Sequence, residues 1–231
     1  MIDWHSHILP AMDDGSSGID ESRKMLELLK EQSVDTVIAT PHFYANEESV
    51  DEFLERRKKT YCELLPIADE LDMRIVCGAE VRYYPGISRM TELKRLAIEN
   101  TKLLLLEMPM AKWTEHTVKE LVELANTCGL RIIMAHIERY ISMQDRGVIQ
   151  KLVDNGMLMQ VNASFFERMM SKHKALRLLD EGCLHLIGTD CHNLTTRAPR
   201  IGTAYDFIQK KRGEDFVSQM IEYGHYVLGR V

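Results

Sequence analysis

The chain has 231 residues with a formal net charge of −6 at pH 7, and 45% of its residues are hydrophobic. This length and composition allow a full hydrophobic core, either as one α/β barrel or as two small domains. The acidic balance argues against a nucleic-acid partner, because such binding needs dense Lys and Arg contacts to phosphates, and the longest aliphatic block, Leu103 to Leu106, is too short to cross a bilayer.

Strand-like and helix-like segments alternate along the chain, which is typical of a sheet wrapped by helices. The pattern predicts strands at residues 2–4, 34–40, 74–80, 103–108, 131–135, 158–162 and 184–188. It predicts helices at residues 20–32, 49–72, 114–128, 145–155, 171–181, 200–212 and 214–223. Because every strand but the third is followed by a helix, we predict one α/β domain over residues 1–231, an irregular, TIM-like (β/α)7 barrel.

Six of these strands end in a short cluster of histidine or carboxylate residues. In barrels of alternating strands and helices, the carboxyl ends of the strands carry the active site. A flat doubly wound sheet is the alternative, but its site would lie at one switch point instead of drawing on nearly every strand. The clusters are Asp3-Trp4-His5-Ser6-His7, Pro41-His42, Gly78-Ala79-Glu80, Leu106-Glu107, Ala135-His136 and Asp190-Cys191-His192.

Residues two apart on a strand point the same way, so His5 with His7, and Asp190 with His192, can each close on one ion. Imidazole together with carboxylate suits zinc, manganese or iron. A single histidine at a strand end is more often a hydrogen-bonded structural residue. The recurrence of such clusters at six strand ends therefore predicts a site for several metal ions.

Three acidic residues require a choice between structural and ligand roles. Asp13 and Asp14 precede Gly15 and could shape a turn or cap a helix; we expect Asp14 to be a ligand and Asp13 to be the turn residue. Glu107 follows four leucines. An unpaired carboxylate would be costly to bury there, so a cation partner is expected.

Five cysteines, an odd number without a CxxC pair, fit reduced thiols better than a disulfide framework. No charged and apolar leader precedes His5, so we expect a cytoplasmic protein without direct membrane insertion. Cys191 and Arg197 have the spacing of the thiolate loop in cysteine-dependent tyrosine phosphatases. The segment between them contains no glycine, and Asp190 disfavours a thiolate, so we do not expect that mechanism.

Together, these motifs resemble the polymerase and histidinol phosphatase (PHP) superfamily. More narrowly, the chain is similar to the manganese-dependent tyrosine phosphatases encoded in bacterial capsule and exopolysaccharide loci. Asp13-Asp14-Gly15 and His136-Ile137-Glu138-Arg139-Tyr140 separate this branch from the histidinol phosphatases. The motifs also include Thr40-Pro41-His42, Glu107-Met108-Pro109 and Thr189-Asp190-Cys191-His192-Asn193.

The resemblance implies a cluster of three Mn²⁺ ions, with iron or zinc as possible replacements. The implied ligands are His5, His7, Glu80 and Asp190 for the first ion, Glu80, Glu107 and His136 for the second, and Asp14, His42 and His192 for the third. Arg139 and Arg197 match positions that grip the substrate phosphate. From the residues alone, Arg139 could instead pair with Glu138 or a surface acid, and Arg197 could be an ordinary loop arginine.

The implied activity is hydrolysis of phosphotyrosine, on the tail of a bacterial tyrosine autokinase that controls polysaccharide export. Two ions about 3.5–4 Å apart can share a hydroxide, because a bound metal lowers the pKa of water from ~15.7 towards ~7. No nucleophilic side chain is then needed. The alternatives are a histidinol-phosphate or other small-molecule phosphatase and a non-catalytic metal-bound interaction module; a homo-oligomer is also possible.

Overall fold

The computed structural model describes residues 1–229, apart from the side chain of residue 127. The predicted domain extends to residue 231, so residues 230 and 231 lie outside the described part. The strands are β1 (Ile2–Ser6), β2 (Thr36–Ala39), β3 (His42–Phe43), β4 (Arg74–Cys77), β5 (Glu80–Arg82), β6 (Leu103–Glu107), β7 (Arg131–Met134), β8 (Leu158–Asn162) and β9 (Leu186–Gly188). The helices are α1 (Ile19–Glu31), α2 (Val50–Glu70), α3 (Glu115–Cys128), α4 (Val148–Asp154), α5 (Met169–Asp180), α6 (Gly202–Arg212) and α7 (Glu214–Gly229).

All strand pairs are parallel, and they follow two orders, β1-β2-β4 and β3-β5-β6-β7-β8-β9. The segment after β9 returns to β1, where Ser6 and Cys191 form a parallel bridge. The backbone N–H of Asp190 donates to the carbonyl of His5 at 2.7 Å, and that of His7 donates to the carbonyl of Cys191 at 3.0 Å. The sheet therefore closes on itself, as the barrel prediction requires.

The second predicted strand, residues 34–40, corresponds to β2, and β3 is an additional short strand beyond its end; the third predicted strand is divided by a short break. Pro41, which has no N–H to donate, separates β2 from β3. At the other break, a Cβ on Gly78 would lie 3.0 Å from a side-chain carbon of Ile98, so the close packing there favours glycine. Pairing continues across both breaks, because Gly78 donates to Ala39 at 2.8 Å and Glu80 donates to Pro41 at 3.0 Å. The nine strands thus comprise the seven predicted ones, the third of them divided in two, and the additional strand β3.

The helices match the predicted ones except at several ends. Ser49 caps α2 with a capping box to Glu52, and Gly129, with φ of 60°, ends α3. The helix predicted from residue 145 begins only at Val148, because Gly147 has φ of 87°. α7 continues to Gly229, six residues beyond the predicted end, which was therefore wrong.

Two apolar layers hold these elements together. One face of the strands, including Val37, Leu104 and Leu106, packs on the helices. The opposite face, including Trp4, Leu105 and Ile133, forms a separate cluster that α7 joins through Val227 and Leu228. Side chains two apart on a strand share a face, so Glu107 continues the inner face of Leu105. In residues 1–229, no helix is long and apolar enough to cross a membrane.

Candidate metal centre

The strand ends bring all nine predicted ligands together at one end of the barrel. Six of them are almost fully buried, whereas the Asp14 side chain is 66% exposed and that of His42 is 15% exposed. His42 and Glu80 are register partners on β3 and β5. The buried six are His5, His7, Glu80, His136, Asp190 and His192.

The first predicted set surrounds the Nε2 atoms of His5 and His7, which lie 3.1 Å apart. Glu80 Oε2 lies 3.2 Å from the His5 nitrogen and 3.3 Å from the His7 nitrogen. Asp190 Oδ1 lies at 3.6 and 3.5 Å from the same two atoms. These four side chains can surround one small cation.

The third predicted set lies beside the first, and the structure places His7 of the first set next to it. Asp14 Oδ1 is 3.4 Å from Nε2 of both His42 and His192. The His7 and His192 rings have centroids 3.9 Å apart. One nitrogen or oxygen from each of His7, Asp14, His42 and His192 falls within a sphere suited to a single ion.

The second predicted set centres on Glu80. Its Oε1 lies 2.8 Å from His136 Nε2, and its Oε2 lies 3.0 Å from His42 Nδ1. Glu107 Oε1 is 3.8 Å from His136 Nε2. Glu80 thus has one oxygen on the side of His136 and one on the side of His5, His7 and His42, which is the position expected of a bridging carboxylate. The bridging role itself stays a prediction.

Three atoms of predicted ligands are buried without a well-formed hydrogen bond, namely His42 Nδ1, Glu80 Oε2 and His192 Nε2, although the first two lie 3.0 Å from each other. Each such atom costs about 1–3 kcal/mol when nothing satisfies it. A divalent cation accepts lone pairs from imidazole and carboxylate alike, and this donor set suits manganese, iron or zinc. The residues present therefore fit a cluster of metal ions.

Two predicted ligands occupy left-handed backbone conformations that are uncommon outside glycine: His136 has φ of 32° and Asp190 has φ of 53°. Such positions are unfavourable and persist where the surrounding structure fixes them. The Tyr140 hydroxyl, 3.0 Å from His136 Nδ1, provides one such constraint.

Asp13, which we predicted to be the turn residue, also contacts a predicted ligand. Its Oδ1 accepts from the backbone N–H of Gly15 at 3.0 Å, as a turn residue would, but its Oδ2 lies 2.7 Å from His7 Nδ1. Burial lowers the pKa of His7, but the carboxylates of Asp13 and Glu80 together have the larger effect and raise it to about 10. Without a cation, His7 therefore holds a proton, which a bound metal would displace.

Gln160 and Asn162 on β8 were missed by the sequence reasoning. Gln160 Oε1 accepts from the backbone N–H of His136 at 2.7 Å and lies 3.3 Å from His5 Nδ1. Gln160 Nε2 donates to Asn162 Oδ1 at 3.0 Å, and Asn162 Nδ2 donates to Asp190 Oδ2 at 2.8 Å. The only local signal was the placement of two polar residues on the inner face of a buried strand.

Both predicted phosphate-binding arginines lie at the edge of this cluster. Arg139 Nη2 is 2.5 Å from Asp190 Oδ2, and Arg197 Nη2 is 2.6 Å from Asp190 Oδ1, so Arg139 pairs with a buried acid of the cluster rather than with Glu138 or a surface acid. Burial works to raise the pKa of Asp190, but His5, His7 and Arg197 hold it well below its usual range. The two arginines and Asp190 line a cavity of about 320 Å³, a volume at the lower end for ligand pockets.

The thiol of Cys191 is fully buried in the apolar layer between sheet and helices. Burial raises its pKa far above the ordinary value of a cysteine. A group of this kind is a poor source of thiolate. This agrees with the expectation that the Cys191–Arg197 spacing is not a cysteine-phosphatase loop.

A family model described as capsular polysaccharide synthesis, CpsB/CapC, matches residues 1–225. The chain belongs to the CpsB/CapC family. It is 32% identical to the tyrosine-protein phosphatase CpsB of Streptococcus pneumoniae over 92% of this chain and 91% of the relative. It is 27% identical to the tyrosine-protein phosphatase YwqE of Bacillus subtilis (strain 168), over 99% and 91%.

The fold of this CpsB/CapC member also matches a solved structure, with a TM-score of 0.85 and 25% sequence identity over 100% of this chain and 96% of the other. That structure comes from work on YwqE of B. subtilis and CpsB of S. pneumoniae, described as metal-dependent tyrosine phosphatases. The predicted family resemblance and the predicted barrel fold are confirmed.

Proposed function

We propose that this CpsB/CapC member is a metal-dependent protein tyrosine phosphatase, formed by one PHP-type domain over residues 1–231. The observation that carries the proposal is the position of Glu80, whose two oxygens lie within 3.3 Å of nitrogens from His5, His7, His42 and His136. Next to this cluster, Arg139 and Arg197 face a cavity. A polynuclear site beside two arginines suits a phosphate ester better than a neutral substrate.

The proposed metal is Mn²⁺ in three sites, with iron or zinc as possible replacements. Bound divalent ions would supply a water nucleophile near neutral pH and would offset the charge of the phosphoryl group. The ligands fall in the three predicted sets: His5, His7, Glu80 and Asp190; Glu80, Glu107 and His136; and Asp14, His42 and His192.

The side chains of the site bind and orient the substrate. Arg139 and Arg197 each present a planar fork that matches two phosphate oxygens, and neither can lose its proton at neutral pH. Each arginine contacts Asp190 through its Nη2 atom, so its other guanidinium N–H groups can be offered to the substrate. A phenolate leaving group, with a pKa near ~10, needs less protonation than an alkoxide.

For the substrate, we propose the phosphotyrosine-bearing tail of a bacterial tyrosine kinase that regulates capsule or exopolysaccharide synthesis in the cytoplasm. The names of the curated relatives and the family description support this context. A histidinol-phosphate phosphatase or a non-catalytic metal-bound module gains no support from these relatives.

Turnover of a phosphotyrosyl peptide, measured by phosphate release with Mn²⁺ supplied, tests the activity. We expect efficient turnover of the peptide, little turnover of histidinol phosphate, loss of activity with a chelator and recovery on adding Mn²⁺. Histidinol phosphate turned over better than the peptide would reverse the substrate assignment.

Arg139→Ala provides the matched variant for this experiment. Because Arg139 is assigned to phosphate and not to metal, the variant should keep the parent's metal content by elemental analysis. It should lose about 10²-fold or more of kcat/KM, as expected when a charged contact to the reacting group is removed. If the variant bound inorganic phosphate as tightly as the parent, the assignment would be wrong.

A further inference from the structure

A third arginine lines the cavity that holds Arg139 and Arg197. Arg200 shares this cavity with Asp190, but Asp190 already contacts the other two guanidinium groups. Among residues 1–229, no carboxylate lies within 4.0 Å of the Arg200 guanidinium as an ion-pair partner. The cavity therefore has one cationic group whose charge no contact in this part of the chain neutralises.

The backbone on both sides of Arg200 is held by two hydrogen bonds to one half-buried side-chain amide. The side chain of Gln32, at the end of α1, donates from Nε2 to the carbonyl of Pro199 at 2.7 Å. Its Oε1 accepts from the backbone N–H of Gly202 at 2.9 Å. Ile201, between them, is fully buried. Arg200 thus extends an exposed side chain from a backbone segment whose position is fixed. A ligand that binds there does not have to order a mobile loop, which would cost free energy.

The rest of the cavity wall offers hydrogen-bonding groups. Hydroxyl groups come from Ser164 and Thr196, whereas the Thr189 hydroxyl already donates to Asp3 Oδ2 at 2.6 Å, and a second carboxylate comes from Glu167. Hydroxyls can donate to anionic oxygens, whereas Glu167 would repel them. The wall is therefore suited to a charged, polar segment of substrate.

We infer that Arg200 forms a subsite for a second anionic group, carried by a residue next to the phosphotyrosine of the substrate. The inference rests on the proposed phosphatase function. A phosphate monoester carries about −1.5 to −2 charges at pH 7, enough to occupy both Arg139 and Arg197. The guanidinium of Arg200 lies in the same cavity and is not occupied by this phosphate. It binds a further carboxylate or phosphate that the reaction does not alter.

The test compares kcat/KM for three peptides of one sequence, in which phosphotyrosine is flanked on both sides by glutamine, by aspartate or by phosphoserine. We expect the parent enzyme to prefer one or both anionic peptides over the glutamine peptide by about threefold to tenfold, mainly through KM. The preference should shrink as salt is added, since the subsite is open to solvent. Preference for aspartate identifies a carboxylate subsite, and preference for phosphoserine identifies a phosphate subsite.

Arg200→Gln should reduce this ratio to near one, and Arg200→Lys should restore part of it. Glu167→Gln should increase the ratio, because it removes a repelling carboxylate from the same cavity. The control is Arg89→Gln, which removes an exposed arginine outside the cavity and should leave the ratio as in the parent.

Equal kcat/KM for all three peptides in the parent enzyme, or an unchanged ratio in Arg200→Gln, would overturn the subsite. Failure of the proposed function looks different. In that case the parent enzyme turns over none of the three phosphotyrosyl peptides.

Discussion

Glu80 illustrates how neighbouring side chains set the charge of one residue. Its burial alone would raise its pKa, but the neighbouring imidazoles of His5, His136 and His42 hold the pKa well below the usual range. The carboxylate therefore stays ionised. When no metal is bound, some of the surrounding imidazole rings carry protons. Because metal binding displaces those protons, we expect affinity for the metal to fall as the pH is lowered.

Cys191 provides a test of the mechanism at the scale of one residue. Its buried thiol, with a raised pKa, has no route to act as a nucleophile. We expect Cys191→Ser to keep most of the parent's turnover of a phosphotyrosyl peptide, with any loss explained by packing. Activity should vanish with a chelator in both proteins. A phosphocysteine trapped at Cys191, for example by mass spectrometry after rapid acid quench, would contradict this.

At the scale of secondary structure, the site depends on how β9 meets β1. Asp190 follows β9, and His5 lies on β1, so any separation of these strands moves two proposed ligands apart. The fit is tight, since a Cβ on Gly188 would lie 2.6 Å from the His5 Cβ and 2.7 Å from its backbone nitrogen. The glycine is needed here for close approach, not for an unusual backbone angle.

Gly188→Ala should therefore damage stability and metal binding together. Inserting a methyl group into such a contact costs about 1–3 kcal/mol of the free energy of unfolding. We also expect a lower metal content by elemental analysis, because the displaced strand carries His5. Gly229→Ala is the control, as a Cβ there meets nothing within 4 Å. A Gly188→Ala protein with the parent's stability in urea and its full metal content would show that the strand contact is not critical.

For the whole molecule, the proposed ions connect segments that are distant in the chain. The proposed ligands range from His5 on the first strand to His192 after the last one. Ions held by such a set would bind the folded state and not the unfolded chain, so they would act as cross-links between the first and last strands of the barrel.

Thermal unfolding should reveal this coupling. A ligand at 100 times its Kd stabilises a protein by about 2.7 kcal/mol. For a chain of this length, that corresponds to an increase in Tm of about 5–10 °C. We expect Mn²⁺ to produce this shift in the parent protein, and Ca²⁺, which prefers oxygen ligands, to produce a smaller one.

Glu80→Gln is the matched variant for the thermal experiment, because it keeps the side-chain shape and removes the charge. Its Tm should respond much less to Mn²⁺ than that of the parent. The same Mn²⁺-dependent shift in both proteins would mean that Glu80 is not a central ligand.

Local patterns predicted much of the fold and of the ligand set. Strand and helix positions follow from hydrophobic periodicity, and the helix ends at Ser49 and Gly129 follow from capping preferences. The short strand β3 beyond Pro41, the division of the third predicted strand at Gly78 and the true length of α7 were not predicted. Those features depend on which strand or helix lies alongside, and periodicity within one segment carries no such information.

The sequence by itself determined the type of site: imidazole and carboxylate at successive strand ends, beside candidate arginines, in a chain of alternating strands and helices. Only the tertiary structure decided how those groups are supported. Asp13 reaches His7 across a turn, Gln160 reaches His5 from a position 155 residues away, and Arg200 enters the cavity of Arg139. These contacts require the sheet to close between β9 and β1, and closure is set by packing of the whole barrel rather than by any local motif.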